Sequence, residues 1–318
     1  MMNSKEISSL VQRIKQNIGR VIVGRNDIID VILTSVICGG HVLIEDVPGT
    51  GKTMLARALA KSIGGDFKRV QFTPDLLPSD LTGINYYNQK LSEFTFRQGP
   101  VFTNILLGDE INRATPRTQS AMLEAMEERQ VSIEGSTYVL DKPFLVLATQ
   151  NPVENQGTFP LPEAQLDRFF VKVNMGYPTL EEGKTILKRF IKDNPIEEIG
   201  EVCTKQEIVE AGRSCSSIFA SDEIIEYILN IVNKTLVHSS VVLGVSPRGS
   251  IALLKACQCY AAVKGREYVT PEDVKFMVPY VLAHRMIIKD SLRLKSVSPQ
   301  SVLNEILNTV DVPIEKWD

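Results

Sequence analysis

The chain has 318 residues, 43% of them hydrophobic, and its 35 Lys and Arg against 38 Asp and Glu leave a formal net charge of −3. That supplies core for one large or two ordinary domains and excludes a disordered chain. No basic tail or stripe marks a nucleic-acid binder, and no apolar run is long enough to span a membrane. Cys38, Cys203, Cys215, Cys257 and Cys259 include no C-x-x-C pair, and His41, His238 and His284 are scattered. Free packing thiols in a cytoplasmic protein, and no metal cluster, are therefore expected. Residues 1–14 are polar and helical in pattern, unlike a signal peptide.

Residues 6–18 carry Ile7, Leu10, Val11, Ile14 and Ile18, the stripe of a helix. Val21-Ile22-Val23-Gly24-Arg25 breaks it. Residues 27–37 then place Ile28, Val31, Ile32, Ser35 and Val36 in helical register, and Gly39-Gly40 ends that helix. Residues 41–45 form an apolar strand, and residues 54–63 read as a helix. Between them runs Asp46-Val47-Pro48-Gly49-Thr50-Gly51-Lys52-Thr53. Strand, glycine turn, Gly-Lys-Thr and helix make the setting of a phosphate-binding loop. Gly49 and Gly51 let the backbone turn its N–H groups toward phosphate oxygens, and the helix start favours anions. Lys52 reaches the β- and γ-phosphates, and the Thr53 hydroxyl ligates Mg²⁺. The residues from Pro48 to Met54, with Thr50 among them, are thus the expected nucleotide contacts. Asp46 stands where the pattern GxxxxGK[ST] has its first Gly, which changes the loop's entry and leaves its other positions intact.

Residues 67–72 alternate apolar and polar, as a strand does. A Pro-rich connection and a short β insertion over residues 86–96 follow. Ile105-Leu106-Leu107-Gly108-Asp109-Glu110 is an apolar strand ending in two carboxylates. Neighbours on a strand face opposite ways, so the two take separate roles. Asp109 binds Mg²⁺, directly or through water, and Glu110 polarises the attacking water. Residues 116–129 read as a helix, and Glu134-Gly135-Ser136 as the turn of a hairpin. Residues 144–149 are another buried strand, ending in Gln150-Asn151-Pro152. Asn151 there is either a turn former or a hydrogen-bond partner of the γ-phosphate or the attacking water. A short helix over residues 161–168 and a last strand over 169–173 complete this part.

Tyr177-Pro178 marks a domain boundary, beyond which the pattern is helical throughout. Thr270-Pro271-Glu272-Asp273 has an N-cap, a Pro at the first helical position and acids in the first turn, and Ser298-Pro299 opens a helix the same way. Ser246-Pro247-Arg248 shares the cap but puts a cation in the first turn, where the helix dipole disfavours it. An anion beside Arg248 would resolve the conflict. The alternative is an exposed arginine at a cost of a few tenths of a kcal/mol.

Taken in order, Val23-Gly24-Arg25, DVPGTGKT, ILLGDEINRA, VLATQNP and LPEAQLDRFF resemble AAA+ ATPases, and among them the MoxR family, over nearly the full chain. The resemblance implies a parallel-sheet α/β nucleotide-binding domain over residues 1–176 and an all-α lid over 177–318. It also implies an insertion in the second helix and a hairpin before sensor 1, where residues 86–96 and 130–140 fall. By match of motif, Asn151 is sensor 1, Arg168 the arginine finger and Arg248 the sensor 2 residue. Val23 and Gly24 form the adenine-side segment. Similar proteins form hexameric rings that mature partner complexes, often with partners bearing von Willebrand factor A domains.

The expected activity is therefore Mg²⁺-dependent hydrolysis of ATP to ADP and phosphate, coupled to remodelling of a protein client. Two rivals stand beside it. A nucleic-acid-acting motor is disfavoured by the acidic charge balance, and a non-hydrolysing nucleotide switch by Glu110.

Overall fold

The computed structural model describes residues 2–47, 49–151, 157–192, 194–289 and 297–313. Pro48 and Pro152, which belong to two of the motifs, lie outside them.

Two helices come first, α1 (Ser4–Val21) and α2 (Asn26–Cys38). β1 (Val42–Glu45) leads into α3 (Lys52–Ser62), β2 (Phe67–Gln71) and the short α4 (Pro78–Thr82). A hairpin of β3 (Gly83–Asn88) and β4 (Glu93–Gln98) precedes β5 (Ile105–Asp109) and α5 (Pro116–Glu128). A second hairpin, β6 (Gln130–Ile133) with β7 (Ser136–Val139), precedes β8 (Leu145–Gln150), α6 (Glu163–Leu166) and β9 (Val171–Val173). The hairpins occupy the two expected insertions, and Phe96 of one stacks on Tyr138 of the other at 4.2 Å between centroids. The helix expected over residues 161–168 is shorter than its pattern: Pro162 is its N-cap, and the chain is extended again by Val171.

β2, β5, β8, β1 and β9 form one parallel sheet in that order. β1, β5 and β8 read as nearly unbroken apolar runs because both their faces are covered, while the edge strand β2 alternates. Val42, Ile44, Ile105, Leu107, Leu145 and Leu147 face one hydrophobic cluster, while Leu43, Leu106, Val146 and Ala148 face the other. That alternation is the period of a strand.

The chain continues through α7 (Leu180–Lys192), α8 (Lys205–Ser214), α9 (Asp222–Val237), α10 (Pro247–Val263), α11 (Pro271–Leu282) and α12 (Pro299–Thr309). This region is not helical throughout, as the sequence pattern suggests. β10 (Val241–Leu243) pairs antiparallel with β11 (Ile287–Ile288). Both runs are apolar and mostly β-branched, and too short to register as strands until they meet.

The first cluster runs without a break from α1, α2 and the sheet into α8, α10 and α11. α2 shows why. Residues Ile29 to Ile37 are all buried rather than one stripe of them, because α2 packs on α10 and α8 as well as on β9. Its one buried carboxylate, Asp30, is satisfied by Lys15 of α1 at 2.5 Å and by Lys264, just past α10, at 2.9 Å. A buried charge needs such partners.

His41, at the mouth of β1, is fully enclosed. Its Nδ1 accepts from the Val146 amide at 3.0 Å, so Nε2 carries the proton and donates to Met126 O at 3.0 Å. Burial, aided by nearby Arg129, lowers its pKa to about 3. Burial, with Arg285 beside it, also sets His284 well below the usual range. The unfolded chain protonates both near pH 6.5, and the folded chain does not. Stability is therefore complete above that pH and falls below it. Urea unfolding should show about 2 kcal/mol lost between pH 7 and pH 5 from His41, with a further loss in the same direction from His284. A flat profile over that range would mean that both rings take up protons in the fold as readily as in the unfolded chain.

Candidate functional site

The sheet register builds one edge of the site. Gln71 pairs with Asp109 and Gly108 with Ala148, so Gln71, Asp109 and Thr149 stand level at the carboxyl ends of β2, β5 and β8. Ile44 is paired with Thr149, which brings the exit of β1 to the same line. Ligands of open parallel sheets bind at such carboxyl ends.

The loop after β1 turns on Gly49 at φ 87° and Gly51 at φ 92°. A Cβ at Gly49 would meet nothing within 4 Å, so the backbone conformation, not space, calls for glycine there. Lys52 opens α3 and folds back over the loop, its Nζ donating to Asp46 O at 3.2 Å and Val47 O at 3.1 Å. A cavity of about 360 Å³ lies in front. Gly49, Gly51, Lys52, Thr53 and Met54 line it from the loop and α3. Asp109, Glu110 and Asn151 line it from the strand ends. Thr50 bonds back to Val47 O at 3.5 Å and is not part of the lining.

Asp109 and Glu110 do not divide by strand alternation. β5 stops at Asp109, and Glu110 sits in the left-handed region at φ 58°. Thr149 holds the pair. Its hydroxyl donates to Asp109 Oδ1 at 2.8 Å and accepts from the Glu110 amide at 2.9 Å. Asp109 Oδ2 takes both Arg69 Nε at 2.9 Å and an Arg69 terminal nitrogen at 2.7 Å. Glu110 Oε2 takes Gln71 Nε2 at 2.7 Å and Arg113 Nε at 3.1 Å. Arg69, Gln71 and Thr149 were not singled out by the sequence. The alternation of residues 67–72 that marked a strand also aims Arg69 and Gln71 to one side. That signal becomes readable only once β2 is known to neighbour β5.

The donors suit a hard divalent cation. The Thr53 hydroxyl and the Asp46 and Asp109 carboxylates belong to residues that line the cavity. All are oxygens, as Mg²⁺ prefers.

Val23 and Gly24 do not line the cavity; their neighbour Ile22 is what comes near the loop, with its Cδ1 4.0 Å from where a Cβ on Gly51 would stand. Gly24, at φ 72°, leaves room for Glu182, whose Oε1 a Cβ would approach to 1.9 Å. Arg25 donates to Tyr177 O and faces Glu182 at 3.8 Å, pinning this segment to the start of α7.

Arg168 and Arg248 lie elsewhere. Neither lines the cavity, and both converge on Glu127 of α5. Arg248 donates to both Glu127 oxygens at 2.8 Å, and Arg168 Nε stands 3.8 Å away. Glu127 is the anion that the first turn of α10 calls for, and it raises the Arg248 pKa. Behind them, buried Arg285 donates to Asp167 Oδ1 at 2.6 Å and Phe169 O at 2.7 Å, while His284 Nε2 bonds Phe169 O at 2.9 Å. Arg285 and His284 thus clamp the segment that carries Arg168.

Residues 41–171 match the family model described as ATPase family associated with various cellular activities (AAA), and residues 233–306 match an AAA lid domain. The chain is 50% identical to an uncharacterized protein, YeaC, of Bacillus subtilis, over 99% of each chain. It is 41% identical to Chaperone MoxR1 of Mycobacterium tuberculosis, over 92% of this chain and 80% of that one. A crystal structure from Cytophaga hutchinsonii, named as a candidate ATPase, superposes with a TM-score of 0.91 at 38% identity, covering 98% of this chain and 97% of the other.

Arg285→Met should lower stability by about 3–5 kcal/mol, because it strands Asp167 and several carbonyls without their donor. Guanidinium titration of the purified variant reads this directly, and a loss below about 1 kcal/mol would mean that the clamp is dispensable.

Proposed function

The chain belongs to the MoxR family of AAA+ ATPases, and from that membership we propose that it hydrolyses ATP with Mg²⁺ and uses the cycle to remodel or mature partner proteins. The observation that carries the reading is Glu110. Its amide is tied to Thr149 and its carboxylate to Gln71 and Arg113, in the same cavity as Lys52 and Thr53.

In this reading residues 1–176 are the nucleotide-binding domain and 177–318 the lid, with Val23 and Gly24 beside the adenine. The loop N–H groups and Lys52 hold the phosphates. Thr53 and Asp109 hold Mg²⁺, which when bound neutralises phosphate charge. Glu110 accepts a proton from the attacking water, and Asn151 orients that water. Gln71, on the carboxylate oxygen of Glu110, restrains the base until it is needed. Lying outside the cavity of their own chain, Arg168 and Arg248 act on the nucleotide of a neighbouring copy, which calls for a ring. That ring is hexameric and cytoplasmic, and it takes a protein client, with a partner bearing a von Willebrand factor A domain.

Glu110→Gln should keep nucleotide affinity and lower kcat by about 10²–10⁴, the range for a lost general base. Lys52→Ala should lose tight binding in calorimetry. Turnover near wild type in the first variant would remove Glu110 from the chemistry.

Arg168 tests the assembly. Activity should climb steeply with protein concentration, and Arg168→Ala should bind ATP yet fall by about 10³–10⁵ in rate. Mixing Arg168→Ala with Lys52→Ala should restore part of the activity, since some sites then join an intact Lys52 to a neighbour's Arg168. Full activity at monomeric dilution would rule out action between subunits.

A further inference from the structure

Asp109 and Glu110 are both held from β2, and their holders touch each other. Arg69 and Gln71 lie two residues apart on that strand and so point the same way. Arg69 Nε and one of its terminal nitrogens both reach Asp109 Oδ2, at 2.9 and 2.7 Å. The same terminal nitrogen donates to Gln71 Oε1 at 3.3 Å. Gln71 Nε2 in turn donates to Glu110 Oε2 at 2.7 Å. Two carboxylates are thereby joined through two side chains, and all four residues line the cavity with Lys52 and Thr53.

Asp109 is already served on both oxygens. Its Oδ1 accepts from Thr149 at 2.8 Å, and its Oδ2 accepts from Arg69. A divalent cation that comes to this carboxylate, directly or through a water, meets a guanidinium there. Two cations on one carboxylate repel. Arg69 is the partner that can give way, because its side chain is 49% exposed, whereas Thr149 is buried in β8. Whatever draws Arg69 from Asp109 also draws it from Gln71, since one nitrogen serves both. The Gln71 amide then loses one of its two tethers and can turn.

We propose that Arg69 is a positioning residue that stands at Asp109 in place of the metal, and that its displacement by Mg²⁺ loosens Gln71 from Glu110. This rests on the nucleotide reading and deepens it. The base is set free after the metal has arrived, and nucleotide without metal leaves Glu110 restrained. By linkage, a latch that the metal must open weakens metal binding, and removing the latch strengthens it.

The test is calorimetric binding of ADP and of a non-hydrolysable ATP analogue to the full chain, in Mg²⁺ and in EDTA. In Arg69→Met the ratio of the two affinities should rise about tenfold, as expected for removing one partly screened charge beside the metal's carboxylate. Arg69→Lys restores a point charge and should bring the ratio back toward wild type, which a loss of packing alone would not. Gln71→Leu should raise the ratio about twofold, because Arg69 loses an anchor, and should change nothing in the Arg69→Met background. An unchanged or lowered ratio in Arg69→Met overturns the inference; equal losses in both conditions would make Arg69 a plain phosphate contact. A Gln71→Leu effect that is the same with and without Arg69 breaks the link between the two carboxylates. A wild type that binds no nucleotide in either condition removes the parent reading and this inference with it. Should Arg69→Met lose its fold, as read by circular dichroism, Arg69→Gln decides, being neutral and polar at the same exposed site.

Discussion

The hydroxyl of Thr149 is the contact on which the candidate site turns. It donates a hydrogen bond to Asp109 and accepts one from the Glu110 amide. One small side chain on β8 therefore orients a metal-side carboxylate and fixes the backbone of the residue beside it. The contact exists because β5 and β8 are parallel neighbours in a register that sets Gly108 against Ala148. A register shift of one residue would turn Thr149 to the other face and break both bonds. Glu110 depends on this most. Its left-handed backbone is unusual for a non-glycine residue and persists only where its surroundings hold it.

The rest of the molecule holds that edge still. α1, α2 and α3 cover one face of the sheet, and α5 with the hairpin strands covers the other. The two insertion hairpins meet through Phe96 and Tyr138 and through Asn85 and Glu134, so they form one unit rather than two arms. On the far side, Arg285 and His284 fasten the run from Asp167 to Phe169. Arg168 is thus presented from a backbone held by four or more bonds from the following region, and its companion Arg248 shares its counter-ion.

Much of this was legible in the sequence, and the reasons are local. The strand before Asp46, the glycines after it and the helix from Lys52 follow from chain chemistry within a few residues. The caps at Thr270 and Ser298 likewise form as written, each with its reciprocal bond. What the sequence hid is non-local. Arg69 and Gln71 acquire meaning only when β2 lies against β5. His284 and Arg285 look like an ordinary polar pair until the chain folds back over Phe169. The strand pair β10–β11 is invisible because each half is two or three residues long and its partner lies far along the chain. Arg248 was half legible: its place in the helix announced a missing anion, but nothing nearby in sequence named Glu127.

The all-round burial of α2 bears on how the protein is made. This helix is synthesised among the first residues, yet α8 and α10, which cover its outer side, come out of the ribosome much later. Until then Ile29, Leu33 and Val36 have no complete shelter, and the sheet they lean on is itself unfinished. The chain therefore cannot mature strictly domain by domain from its N-terminus, as a string of independent units would. Its final compaction waits for contacts between distant parts of the chain, the slow kind. A protein that we read as a helper of other proteins' maturation is itself left with exposed apolar helices until nearly its last third is made.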